Sequence, residues 1–263
     1  MTRNPRNFNQ VKKISLSLDA VDGIVFWTKN PLPMIGRLRE LHEFTYYFQF
    51  SLTSYGRDIE TNLPSKTNEL LPTFKKLSDI IGADRVIWRY DPILINQKYT
   101  GDYHLRAFDK IAKELHEYTR KVTISFIDVD YRGVKSNMKE LALLDFPLEE
   151  KLRLSSQFAD IARSYGLAID SCAGNIDLAQ FGIERARCID ERLLGKLLGW
   201  NLSINKDKNQ RLECGCVVSV DIGMYNTCKN GCRYCYANYN KGAVEGNCTK
   251  HNPQSPLLSG ELT

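Results

Sequence analysis

The sequence predicts an α/β protein in which parallel strands are covered by helices. Three observations carry that expectation. Short apolar or aromatic runs alternate with segments of helical periodicity along most of the chain, the pattern of strand–helix–strand units. At 263 residues the chain is long enough for one α/β barrel domain with a sizeable core. Its 43% hydrophobic and 25% charged residues are ordinary for a globular protein.

The elements follow in order. Ile24-Val-Phe-Trp27 is a short apolar run suited to a buried strand. Asn30 can cap a helix carrying Leu32, Ile35, Leu38 and Leu41 at helical spacing. Tyr46 to Leu52 is strand-like, being aromatic and ending in Ser-Tyr-Gly. Leu70, Leu71, Phe74, Leu77, Ile80 and Ile81 mark a helix stopped by Gly82, in which Pro72 means a kink or a later start. Arg85 to Tyr90 is the third strand. Asp102 opens a helix with Leu105, Phe108, Ile111, Leu115 and Tyr118. Val122 to Ile127 is the fourth strand, and Leu148, Leu152, Phe158, Ile161 and Ala162 mark a helix closed by Gly166. Leu167 to Asp170 is the fifth strand, and a last helix is expected from Ile183 to Leu198. His42, His104 and His116 fall on helices and are expected at the surface or partly packed. Periodicity alone leaves a barrel segment and a doubly wound open sheet both open.

All eight cysteines lie in the last third of the chain. A disulfide framework suits small secreted domains, so ligation in a reducing compartment is the better reading. Cys228-Lys-Asn-Gly-Cys232-Arg-Tyr-Cys235 has the spacing C-x3-C-x2-C with an aromatic residue before the last thiol. Three thiolates on one loop can hold three irons of a [4Fe-4S] cluster and leave the fourth iron open. Zinc and plain thiols are the competing readings of the loop.

That loop resembles the cluster loop of radical S-adenosylmethionine (radical SAM) enzymes. Together with Ile24 to Pro31, Trp88 to Ile93, Ser125 to Asp128 and Asp221 to Cys228, it makes the chain similar, from about Arg3 to about Tyr239, to an uncharacterised bacterial and archaeal family. That family carries such a cysteine cluster at its C-terminal end. The resemblance implies a partial (β/α)6 TIM-type barrel over residues 1–200 and a cysteine-rich iron–sulfur region over 201–263; separately, the Pro, Ser and Gly content after His251 predicts a disordered tail after about 250. The resemblance also implies a [4Fe-4S] cluster and S-adenosylmethionine as cofactors, and an electron donor such as a ferredoxin or flavodoxin as partner. It implies no particular substrate. The chain departs from the family in lacking an upstream segment with a Ser-Arg-Arg-Thr-Asp type motif, and from radical SAM enzymes in lacking a Gly-Gly-Glu stretch. Nothing before Val11 reads as a partner for the Ile24 strand, so an open barrel with a missing first strand is expected, and poor solubility or activity with it.

In parallel barrels the active site forms where strands end. Lys29 and Asn30, Ser51, Thr53 and Tyr55, Arg89 and Asp91, Asp128 and Asp130, and Asp170 and Cys172 take those places. Lys29, Arg89, Asp91 and Asp128 are the candidate catalytic residues. Lys29 and Arg89 suit a carboxylate, and Asp91 and Asp128 an ammonium or ribose hydroxyls. Asn30, Ser51, Asp170 and Tyr234 are the candidate cofactor-binding residues. The bland alternatives are a solvated Lys29, an Arg89–Asp91 pair and a helix-capping Asp128. Cys172, Cys188, Cys214 and Cys216 make a second set of four thiols, open to an auxiliary [4Fe-4S] cluster, to zinc or to plain buried cysteines. Cys248 is left as a free thiol.

No run approaches the roughly 18–20 apolar residues of a membrane span, and the N-terminus has no signal-peptide core, so a cytoplasmic protein is expected. The net charge of +5 is too mild to imply nucleic acid. The basic and aromatic stretch from Lys229 to Lys250 is the one feature that would suit it, for example in lesion repair in the style of spore photoproduct lyase. Two function classes result: a radical SAM enzyme, or an iron–sulfur or zinc binding protein without that activity.

Overall fold

A computed structural model describes residues 1–4, 7–129, 134–135, 140–172, 174 and 176–260. Asp130 lies outside the described residues. Strands β1 (Thr2–Asn4) and β2 (Asn7–Lys12) form an antiparallel hairpin of their own. Six further strands make one parallel sheet: β3 (Ile24–Thr28), β4 (Tyr46–Ser51), β5 (Val86–Ile93), β6 (Lys121–Phe126), β7 (Ala168–Ser171) and β8 (Glu184–Arg185). Their spatial order is their chain order. A doubly wound sheet reverses direction at a switch point, and this one does not. The sheet is not closed into a barrel; β3 and β8 are its two edges.

Two boundaries differ from expectation. The segment expected as one helix from Ile183 to Leu198 divides into β8 and a shorter helix at Glu191–Leu198. Glu184–Arg185 has no apolar alternation to reveal a strand; its pairing with β7 makes it one. Strand β5 runs on to Ile93, so Arg89 and Asp91 lie within the strand rather than after it.

The helices whose bounds fall among the described residues include α1 (Leu32–Ile35), α2 (Leu71–Ile81), α3 (Gly101–Leu115), α4 (Leu148–Ser164), α5 (Glu191–Leu198) and α6 (Lys241–Thr249). Pro72 sits in the first turn of α2, which follows directly on a π-helical turn at Lys66–Leu70. Thr100 caps α3 by accepting from the Tyr103 amide at 3.2 Å, and Asp190 caps α5 through the Arg192 amide at 3.0 Å. Alternation along the strands divides the sheet into two faces. Phe48, Phe50, Trp88, Tyr90, Val122 and Ile124 join Phe74, Phe108 and Phe158 of α2, α3 and α4 in the main core. Phe108 stacks on Trp88 with ring centroids 4.8 Å apart. On the other face Tyr47 and Ile87 pack against Leu194 of α5, and polar residues, Gln49 and Arg89 among them, come from the same strands. Residues 251–260 run as turns and bends, with Leu257 buried and Ser259 Oγ donating to the Asn247 carbonyl at 2.8 Å.

His104 corrects another expectation: it is fully buried. Its Nε2 lies 2.9 Å from the Leu94 carbonyl, which can only accept, so Nε2 carries the proton. Nδ1 then accepts from the Tyr90 hydroxyl at 2.8 Å. Burial pushes the imidazole down to about 4, against the opposing pull of the Leu94 carbonyl. The groups around the ring are the Tyr55, Tyr90 and Tyr103 phenols. A base with a folded pKa below its unfolded value takes up its proton more readily when unfolded. Stability present at neutral pH should therefore be lost between about pH 6.5 and pH 4, by on the order of 3 kcal/mol. His104→Gln should flatten that slope in urea unfolding across this window. An unchanged slope in the variant would remove His104 as its source.

Candidate functional site

The three-thiol loop docks on the segment that leaves the C-terminal end of β4. Cys232 bridges to Glu60 as an antiparallel pair. The Arg233 amide donates to the Ile59 carbonyl at 2.9 Å, and the Asn62 amide to the Asn230 carbonyl at 3.1 Å. Asn62 Nδ2 adds a bond to the Lys229 carbonyl at 2.8 Å. Gly231 turns the loop with φ +65, and a Cβ there would stand 3.1 Å from Asn62 Nδ2. Cys232 ends up buried, Cys235 half-buried and Cys228 exposed.

Under the loop lies a buried charge cluster centred on Glu60, whose side chain is 1% exposed. Lys29 Nζ is 3.0 Å from Glu60 Oε1, and Lys66 forms an ion pair with Oε2. Thr53 Oγ1 donates to Oε1 at 2.9 Å, and the Tyr234 hydroxyl donates to the same oxygen. Burial pushes the Glu60 carboxyl up, but the Lys29 and Lys66 ammoniums outweigh it and hold the group at about 2. Lys29 Nζ is enclosed, and among the described residues it has an ion pair but no aligned hydrogen bond. It also sits 5.4 Å from the Tyr234 ring centroid. Tyr234, expected against a cofactor, thus anchors the loop in the core beside Tyr55.

The other candidates divide. Arg89 is 5% exposed and is held by its own neighbours. Its Nε donates to Asp91 Oδ2 at 3.0 Å, and Nη1 donates to Gln49 Oε1 at 3.3 Å and to Cys188 Sγ at 2.9 Å. The bland pairing of Arg89 with Asp91 is what occurs. Ser51 Oγ donates to Asp91 Oδ1 at 3.3 Å. Lys29, Ser51, Arg89 and Asp91 are therefore brought together at one end of the sheet. Asn30 instead turns the chain into α1, its Oδ1 accepting from the Leu32 amide at 3.0 Å and its Nδ2 donating to Glu69 Oε1 at 3.1 Å. Asp128 pairs with Arg211 at 2.6 Å. Asp170 pairs with Lys121 at 2.8 Å through Oδ2, while its buried Oδ1 has no hydrogen-bond partner among the described residues.

Cys172, Cys188, Cys214 and Cys216 come together from three separate stretches of chain. Cys188, Cys214 and Cys216 form one buried cluster with Cys172 packed on it. Cys172 follows β7 and Cys188 follows β8 at the same end of the sheet, with their sulfurs 3.3 Å apart. Among the described residues no group of three or more His, Cys, Asp or Glu side chains already stands in position to hold a metal ion. Cys248 is apart from both sets, donating to the Thr227 carbonyl at 3.4 Å. Tyr236 and Tyr239, in the basic stretch, are exposed.

Sequence reasoning missed Glu60, Lys66, Tyr47 and Gln49. Glu60 lies in an irregular segment with no periodicity, and its partner Tyr234 is 174 residues away. The only available signal was its position after a strand's C-terminal end. Residues 1–237 match the model of a family described as a domain of unknown function, DUF1848. No curated protein and no solved structure matches the chain. No helix among the described residues is long and apolar enough to cross a membrane.

Proposed function

We propose that this chain, which belongs to the DUF1848 family, holds a [4Fe-4S] cluster on Cys228, Cys232 and Cys235 and acts as a radical SAM enzyme on a partial (β/α)6 barrel. The observation that supports this most is the placing of the loop. Three thiols on one short segment meet the C-terminal end of a parallel sheet beside the enclosed Lys29. The donor set fits the group, since three thiolates leave one iron for another ligand. When bound and reduced by a ferredoxin or flavodoxin, such a cluster supplies the electron that splits S-adenosylmethionine into methionine and a 5′-deoxyadenosyl radical.

The chain's own residues have separate tasks. Tyr234, through Glu60, and the backbone bonds to Ile59 and Asn62 fix the loop on the sheet. Lys29 and Lys66 bring two positive charges against the one carboxylate of Glu60, and the surplus offsets the negative charge of the thiolates. Asp91 and Ser51, beside Lys29, present acceptor oxygens suited to an ammonium or ribose hydroxyls. Arg89 holds Asp91 rather than meeting a ligand.

One observation favours a second reading. Lys29 and Arg89, the groups suited to a carboxylate, are both spent on internal partners. That fits an iron–sulfur protein that does not cleave S-adenosylmethionine. Anaerobic purification with iron and sulfide counting, followed by incubation with S-adenosylmethionine and dithionite, separates the two. Iron with 5′-deoxyadenosine release is expected. Iron without release leaves the second reading, and protein that binds no iron overturns both.

A further inference from the structure

We infer that Cys172, Cys188, Cys214 and Cys216 hold one tetrahedral zinc ion in a closed structural site, independent of the loop thiols. Four thiolates are a complete ligand set for such a site, with no position left for a substrate.

The argument starts from the sulfur spacing. Around a single zinc, four sulfurs at about 2.3 Å stand about 3.8 Å from one another. In a [4Fe-4S] cluster each thiolate sits on a different iron at a corner of the cube, so the sulfurs are spread wider. Here Cys172 and Cys188 are 3.3 Å apart, and Cys188, Cys214 and Cys216 pack as one buried cluster with Cys172 against it. The 3.3 Å pair is closer to the edge of a zinc tetrahedron than to the wider span of a cube, so a single ion asks for the smaller rearrangement of the four thiols. Protonated thiols pack as small apolar groups, and loading the ion releases their protons and opens the 3.3 Å contact to the tetrahedral edge.

The surroundings are those of thiolate ligands. The Arg89 guanidinium donates to Cys188 Sγ at 2.9 Å, and the Ile189 amide donates to Cys216 Sγ at 3.5 Å. Such outer hydrogen bonds orient ligands and tune their charge. The Cys188 carbonyl is fixed from beneath by the Tyr47 hydroxyl at 2.7 Å and Gln49 Nε2 at 3.0 Å. Gly215 lets the Cys214-Gly-Cys216 turn close on the chain before Cys188. A Cβ there would meet Arg187 Cγ at 2.8 Å and the Ala186 carbonyl at 3.2 Å. The site would tie residues 205–217 to the sheet, beside the Val217 amide bond to the Ile189 carbonyl at 3.2 Å.

The test counts metals in the full chain and in the loop variant Cys228→Ala/Cys232→Ala/Cys235→Ala, both made with zinc and iron supplied. About one zinc per chain is expected in each. Cys214→Ser/Cys216→Ser should lose the zinc and keep the loop's iron. Arg89→Met should weaken zinc about 10- to 100-fold, as loss of an outer hydrogen bond does. If the double serine variant fails to fold, the chelated full chain is titrated with cobalt(II). Thiolate-to-cobalt charge-transfer absorption that saturates near one equivalent and is bleached by zinc supports the site. Iron and sulfide retained by the loop variant, a zinc content near zero, or a Cys172–Cys188 disulfide found by mass spectrometry overturns it. Loss of iron from the loop variant reads the loop alone, so the two proposals fail separately.

Discussion

Replacing Cys228, Cys232 and Cys235 together by Ala should remove about four irons and about four sulfides per chain, the content of one cubic cluster. The brown colour of anaerobically prepared protein, and its bleaching by dithionite, should go with them. The expectation rests on the donor set being complete within one loop. Apart from Cys248, every other cysteine in the chain lies in the buried group around Cys188. Release of 5′-deoxyadenosine should fall to background at the same time. Unchanged iron in the triple variant would mean that the loop is not the cluster site, whatever the protein's activity. Because metal binding and folding are coupled, circular dichroism of the variant should accompany the metal count.

Glu60→Ala should be the most destabilising single polar substitution in the site, by about 3–5 kcal/mol. Removing the carboxylate leaves the Lys29 and Lys66 ammoniums facing each other beneath the loop, with their counter-charge gone. It also frees the hydroxyls of Thr53 and Tyr234 from their shared acceptor. In a chain of this size each kcal/mol moves the melting temperature by roughly 2–4 °C, so a loss on the order of 10 °C is expected. Glu60→Ala combined with Lys66→Met should recover part of the loss, since it withdraws one unpaired ammonium. A single variant within about 1 kcal/mol of the parent in urea unfolding would show that water already screens the cluster.

The parts of this fold that were legible in the sequence are the parts with local causes. The apolar runs at Ile24 and Val122, and the helical spacing of Phe108, Ile111 and Leu115, depend on neighbours a few residues away. Strand β8 was not legible, because two exposed polar residues become a strand only by pairing with β7. His104 looked like a surface residue because its helix offers polar neighbours, and only the Tyr90 and Leu94 contacts explain its burial. In the site, cysteine spacing exposed the loop, and an excess of thiols pointed to the second group. Glu60 stayed hidden because a single acidic residue in an irregular segment has no pattern until a distant tyrosine is laid over it. Arg89 and Asp91 were found by position, and their pairing was one of two readings, since a strand-end count cannot say whether two opposite charges meet each other first.

The long reach of the contacts under both cysteine groups sets an order of events during synthesis. Tyr47 holds the Cys188 carbonyl across 141 residues, and Glu60 receives Tyr234 across 174. A ribosome adding about 5–20 residues per second finishes the strands long before the last thiols emerge, and earlier parts of a chain tend to fold first. The loop thiols at Cys228, Cys232 and Cys235 therefore arrive at a floor already laid, whereas Cys172 and Cys188 emerge while the sheet is still being completed. Distant pairings of this kind close slowly when a whole chain must find them from the unfolded state. Refolding in a test tube, with every thiol exposed from the start, is the harsher route for this protein than its birth.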